Sequence, residues 1–184
     1  MTRTSNPAGQ FVLALFVCWS GVLVASILAG ALTARSPATV HLRTGDIAPD
    51  FVLPALHRPG EFSSLGEYRG STVVLVFWSS QSLESQGSLL LLDRLQREIT
   101  PADVRVVAVA LEAPQDVTSA AMVGQLMAPT IDHLHDAAGT AYRAYRITRV
   151  PSWFLIDGAG MIRGKGTIPI VDAGRLLSVI EAVG

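Results

Sequence analysis

Between Thr4 and Ala34 the chain carries no Asp, Glu, Lys or Arg, and this divides everything that follows. Within it, Phe11–Thr33 is an unbroken, largely apolar run. At about 1.5 Å rise per residue a helix over that run crosses a hydrocarbon core of roughly 30 Å. Core helices of soluble domains rarely extend so far without a polar stripe. A cleaved signal peptide is the rival, because Ala29-Gly30-Ala31 has the small-x-small cleavage pattern. The run exceeds the apolar stretch of about 7–15 residues typical of such signals, which favours a retained anchor. The expected organisation is a short N-terminal tail over 1–10, a transmembrane anchor (or uncleaved signal) over 11–33, a linker over 34–44 holding Pro37, and one domain over 45–184. Arg3 and the amino terminus on one side nearly balance Arg35 and Arg43 on the other, so charge alone leaves the topology open.

What remains after the apolar segment is long enough for a single domain with one sizeable core. The chain is 49% apolar and 16% charged, which excludes a disordered tail. Net charge is −1, and acids outnumber bases once Arg3 and Arg35 are set aside, so no nucleic-acid footprint exists. Cysteine usage excludes more. Cys18, inside the apolar run, is the only one, so the domain can hold no internal disulfide, no cysteine zinc site and no dithiol centre. No cofactor is expected.

Along the domain, a short strand is expected at Phe51–Leu53, a Pro-Gly turn in His57–Phe62 and a helical turn at Ser64–Tyr68. Val73–Phe77 and Val104–Leu111 are continuous runs of β-formers, the pattern of strands buried on both faces. Ser82–Thr100 predicts a helix stopped at Pro101, with Leu89, Leu90, Leu92, Leu95 and Ile99 as its apolar side. Asp116 is placed to cap a helix reaching Met127. A strand at Ile131–Leu134, a helix at Thr140–Tyr145, strands at Ser152–Ile156 and Met161–Gly166 joined by a tight turn, and a closing helix over Val171–Val183 complete the series. Strands alternating with helices, plus one late hairpin, predict an α/β fold with a mixed central sheet flanked by helices.

The order of these pieces resembles the thioredoxin fold, in particular the membrane-anchored redoxins of the TlpA type within the AhpC/TSA-type thiol–disulfide oxidoreductases. The resemblance rests on GDIAPDFVLPAL, on Leu65 to Trp78 leading into the active-site loop, and on YRITRVPSWFLIDGAGMIRGKG, which resembles the cis-proline loop and final hairpin. It implies a domain on the extracytoplasmic side of a bacterial cytoplasmic membrane, attached by a single N-terminal helix. It also implies an envelope protein client or a membrane complex as partner, and no nucleic acid. The family places Cys-x-x-Cys shortly after its Phe-Trp pair. Here the register puts Ser82 and Ser85 at those positions, with Gln81 where an aromatic usually stands, and Ser88 and Leu90 where Glu and Pro are frequent. Natural loss of the thiols and an engineered exchange both produce that pattern; drift at the neighbouring positions favours natural loss.

Thiol–disulfide exchange needs an attacking thiolate and a resolving thiol, and serine supplies neither. No catalytic residue is therefore expected. Ser82 reads instead as a helix N-cap accepting the amide of Ser85, with Glu84 well placed against the helix dipole. A serine hydrolase would need a base beside Ser82; His57, His133 and His135 are available, but no nucleophile-elbow motif accompanies them. In Asp132–Asp136, His133 and His135 would share one strand face, a weak metal candidate against the simpler reading of a strand and surface turn. By the resemblance, Trp78, Gln81, Val150 and Pro151 would outline a partner groove, with Val150 offering backbone groups to an extended peptide. The function expected is a non-catalytic, partner-binding or maturation-assisting redoxin. The alternatives are membership of a thiol–disulfide oxidoreductase system of the cytochrome c or amine dehydrogenase maturation type, and a structural subunit of a membrane complex.

Overall fold

The computed structural model describes residues 42–98 and 104–167, together with Ser178 and Ile180. The expected anchor, the linker up to residue 41, the helix end and stop at 99–101, and all of the closing helix except Ser178 and Ile180 lie outside the described residues. Among the described residues no helix is long and apolar enough to cross a membrane.

Two strands form the centre. β3 (Thr72–Trp78) is buried at every residue and runs parallel to β4 (Val104–Ala110), in register from Thr72 opposite Val104 to Trp78 opposite Ala110. β5 (Asp132–His135) extends the sheet in parallel beyond β4. β6 (Ser152–Ile156) lies antiparallel to β3, and β7 (Ile162–Gly166) closes the far side. The order β5-β4-β3-β6-β7 makes the mixed sheet that the strand–helix alternation and the late hairpin predicted.

Both faces of that sheet are covered, which is why the central strands are apolar without alternation. On one face Val74, Val76 and Trp78 meet Leu89, Leu92 and Leu95 of α1 (Leu83–Glu98) and Ala120 of α2 (Val117–Met127). On the other, Val73, Leu75 and Phe77 meet Phe51, Leu53, Leu65 and the short α3 (Thr140–Ala144) with its following Tyr145.

Polar side chains join these layers where backbone groups would otherwise be buried unpaired. β5 covers β4 only from Val107 onward. The Gln96 amide fills the gap, donating to the Val104 carbonyl at 3.2 Å and accepting the Val106 N–H at 2.8 Å. Asp93, fully buried on α1, accepts the Thr130 N–H at 2.8 Å and its hydroxyl at 2.7 Å, and its other oxygen meets Arg97. Asp136 accepts the N–H groups of Thr140 and Tyr142 at 2.8 and 2.7 Å and so caps α3. At the β6–β7 hairpin Gly160 has φ +82°, and a Cβ there would lie 1.1 Å from Arg69 Nη1. The positive φ is what favours glycine here, since the arginine tip can move aside.

Two expectations are corrected. The segment around His57–Phe62 is more than a turn, because β1 (Val52–Pro54) pairs antiparallel with β2 (Phe62–Ser64) in a small second sheet. Three-residue strands leave too little alternation to register as a pattern. Asp116 makes no side-chain cap; Pro114–Asp116 forms a 3-10 turn that feeds directly into α2, so the helix is entered from a preceding turn instead of from an extended capping residue.

Candidate functional site

The strand registers gather the candidate residues at one end of the sheet. Trp78 ends β3 opposite Ala110, Phe77 faces Ser152, and Ala110 faces His135. The connections leaving that end are therefore Ser79–Ser82, Leu111–Glu112 and Asp136, and Val150–Pro151 arrives there to begin β6. In open α/β sheets this carboxyl end of the parallel strands is where ligand sites form.

The loop from β3 to α1 is held by its own hydroxyls. Ser82 Oγ accepts the Ser85 N–H at 3.1 Å, the N-cap geometry, and donates to Glu84 Oε2 at 3.1 Å. Ser85 Oγ accepts the Ser79 N–H at 3.4 Å, Ser79 Oγ accepts the Gln81 N–H at 3.2 Å, and Gln86 donates to the Ser80 carbonyl at 2.8 Å. Ser82 is half-buried, Ser85 fully buried, and Gln81 exposed. Both hydroxyls therefore spend their bonding capacity on the loop. Among the described residues no histidine hydrogen-bonds to either serine, so the general base that serine nucleophilicity requires is not in place.

Across from this loop the Val150–Pro151 peptide is cis, Val150 is half-buried and Pro151 buried. Gln81 and Val150 thus lie in loops at the same end of the sheet. Trp78 does not reach the expected groove. It is wholly buried on the face beneath α1, because it continues the alternation of Val74 and Val76, and it cannot touch a partner.

The two β5 histidines are brought to one face but not to one ligand. His133 Nε2 donates to the Ala128 carbonyl and His135 Nε2 to the Glu112 carbonyl, each at 2.8 Å. His133 stacks edge-on with His57, ring centres 5.0 Å apart, and with Trp78 at 5.8 Å. Burial, with the neighbouring His57 adding to it, pushes the His133 imidazole down to about 4, so it is a neutral core group at pH 7. Burial, then the Arg58 charge, also lowers His57. Among the described residues no group of three or more His, Cys, Asp or Glu side chains is arranged to hold a metal ion.

Glu112 is the residue that sequence reasoning passed over. It is buried, one oxygen of its carboxylate accepts the Ser80 N–H in a very short contact, and the other has no hydrogen-bond partner. It braces the serine loop from the connection that follows β4. A charged residue immediately after an apolar strand was the only available signal, and it is a common one.

Residues 44–165 match the AhpC/TSA family. The thiol-disulfide oxidoreductase ResA of Geobacillus kaustophilus is 28% identical over 139 residues, 74% of this chain and 78% of that protein. Among solved structures, a putative thiol:disulfide interchange protein DsbE from Chlorobium tepidum aligns at 30% identity with a TM-score of 0.67, over 77% of this chain and 98% of that one. The peroxidoxin BcpB of Mycobacterium tuberculosis shares the fold at a TM-score of 0.67 and 20% identity, over 78% of this chain and 99% of its own.

Proposed function

The chain belongs to the AhpC/TSA family and has its thioredoxin-like fold, and from that premise we propose that it is a redoxin working without thiols. It binds an envelope protein client, or assists its maturation, through the surface around Gln81 and Val150. The domain hangs on the extracytoplasmic side of a bacterial cytoplasmic membrane from the apolar run at 11–33. The observation that carries this reading is the state of the serine loop. Ser82 and Ser85 stand at the start of α1, their hydroxyls engaged by backbone amides, and Val150–Pro151 leads into β6 at the same end of the sheet. Such a loop is a capped helix start with no thiol in it, which supports a role in binding. ResA and DsbE are named for disulfide chemistry, and the likeness to them supports a role beside such a system, through binding.

A photoreactive residue at position 81 in living cells tests the reading, with position 163, exposed on β7, as control. A specific adduct at 81 and none at 163 is expected; adducts at 163 alone would refute the groove. Redox silence is tested with the full chain carrying Cys18→Ala, which should not accelerate insulin reduction by dithiothreitol above an albumin control. A phosphatase fused after Gly184 should be active, and activity of a cytoplasmic reporter at the same point would reverse the topology.

A further inference from the structure

Four buried side-chain atoms among the described residues have no hydrogen-bond partner, and three of them fall in one cluster: His57 Nε2, His133 Nδ1 and Trp78 Nε1. The His57 and His133 rings stand edge to face at 5.0 Å, and Trp78 meets His133 at 5.8 Å. Buried polar atoms are almost always paired, so three orphans in one place need a physical account. An indole N–H can only donate, which leaves the two imidazole nitrogens as the chemistry of the cluster.

The surroundings set what those nitrogens can do. His133 Nε2 spends its proton on the Ala128 carbonyl at 2.8 Å, so Nδ1 carries the lone pair. Anchoring the second ring nitrogen to a backbone carbonyl is how metal-binding histidines are oriented. His57 comes from the connection between β1 and β2 and is half-buried, with its Nε2 fully covered. Both nitrogens bear on one point at Gly124 of α2. A Cβ built there would lie 3.0 Å from His133 Nδ1 and 3.4 Å from His57 Nε2. Gly124 has no positive φ, so glycine serves here for room, at a helix position where it is otherwise unfavourable.

Burial holds both imidazoles neutral at pH 7, which is the form that ligates. Asp132 and Asp93 favour positive charge at His133, while Arg58 opposes it at His57. Among the described residues no third His, Cys, Asp or Glu side chain completes a larger ligand set. Zinc takes four ligands, and a dication costs more than a monocation to bury. Two neutral imidazoles suit instead a monovalent ion that is satisfied by two donors, and imidazole is a good ligand for copper.

We propose that His57 Nε2 and His133 Nδ1 bind one cuprous ion between them, reached from solvent past the His57 ring. The pair lies against α2, and the proposal is independent of client binding at Gln81.

Competition with the cuprous chelator bicinchoninate, under ascorbate, tests it. The full chain is used in detergent micelles, carrying Cys18→Ala so that no thiol competes. One cuprous ion per chain should be withdrawn from the chelator. X-ray absorption at the copper edge should then show two nitrogen neighbours and no sulfur. His57→Gln, at a half-buried position, should weaken retention at least tenfold with the melting temperature within a few degrees of the parent. Gly124→Ala, which crowds both nitrogens, should weaken it as well. The absorption spectrum is read on the parent and needs no variant to fold. No copper retained, retention unchanged in His57→Gln, a sulfur neighbour in the spectrum, or displacement of the copper by equimolar zinc would each overturn the assignment.

Discussion

Asp93 carries more of the fold than its place on a helix surface pattern implies, and replacing it separates two contributions. One oxygen takes both Thr130 groups, at 2.8 and 2.7 Å, tying α1 to the turn before β5; the other faces Arg97. Asp93→Ala removes two charge-assisted hydrogen bonds worth about 1.5 kcal/mol each. The Arg97 side chain is 61% exposed, so its ion pair adds only a few tenths more. Some of the loss is returned because no carboxylate is then buried, giving a net cost of about 2–3 kcal/mol. Asp93→Asn keeps the oxygen toward Thr130 and loses only the charge and the Arg97 contact, for about 1 kcal/mol. For a domain of this size the two should lower Tm by about 8 °C and 3 °C respectively. Near-ultraviolet circular dichroism during a thermal ramp reads both. Burial would raise the Asp93 pKa, but the Thr130 hydrogen bonds and Arg97 outweigh it and hold it below the usual carboxylate value. Its contribution is thus complete above about pH 4 and is lost as pH falls through the lowered folded value. An Ala variant within 1 kcal/mol of the parent, or an Asn variant as damaged as Ala, would refute the reasoning.

Three further outcomes follow from the same structure. His133 is held neutral in the fold at a pKa of about 4, against 6.5 for an unperturbed histidine, so the unfolded chain takes up the proton first. Stability should fall by about 3 kcal/mol as pH drops from 6.5 to 4, and His133→Gln should flatten that slope in urea titrations; an unchanged slope would sink the assignment. Ser82→Cys with Ser85→Cys, in a Cys18→Ala background, places a half-exposed and a buried thiol at the start of α1. Insulin reduction should rise at least tenfold above the all-serine parent, and no gain would mean the loop has lost more than sulfur. Gly166→Ala would bring a methyl to 2.6 Å from the Trp153 indole. Overpacking of that kind costs about 1–3 kcal/mol, read by urea denaturation together with a shift in Trp153 fluorescence, and an unshifted spectrum at parental stability would count against the contact.

The parts of the fold that were legible in the sequence are those where burial imposes a pattern. β3 and β4 declared themselves because strands covered on both faces are almost entirely apolar, and α1 because Leu89, Leu92 and Leu95 recur on one side, although Leu90, expected there too, is exposed. Ser82 was readable as a cap from its position alone. Trp78, expected at the groove, lies in the core because it continues the alternation of Val74 and Val76, and closeness to the active-site loop along the chain was a misleading guide to exposure. Contacts between distant segments left no such trace. His57 meets His133, and Glu112 meets Ser80, across separations that no local periodicity records. The left-handed Arg146, at φ 54°, was equally hidden, since a residue type that disfavours a conformation cannot announce it.

The Gln96 amide has a consequence for the company the protein can keep. The first residues of β4 would otherwise present a row of unpaired peptide groups, flanked by valines, at the margin of a sheet. Such margins recruit strands from other chains and begin aggregation. A glutamine amide carries the same donor and acceptor as a peptide group, and here it occupies both sites with a side chain that cannot propagate a ladder. The sheet ends there because it has been paired with something that stops.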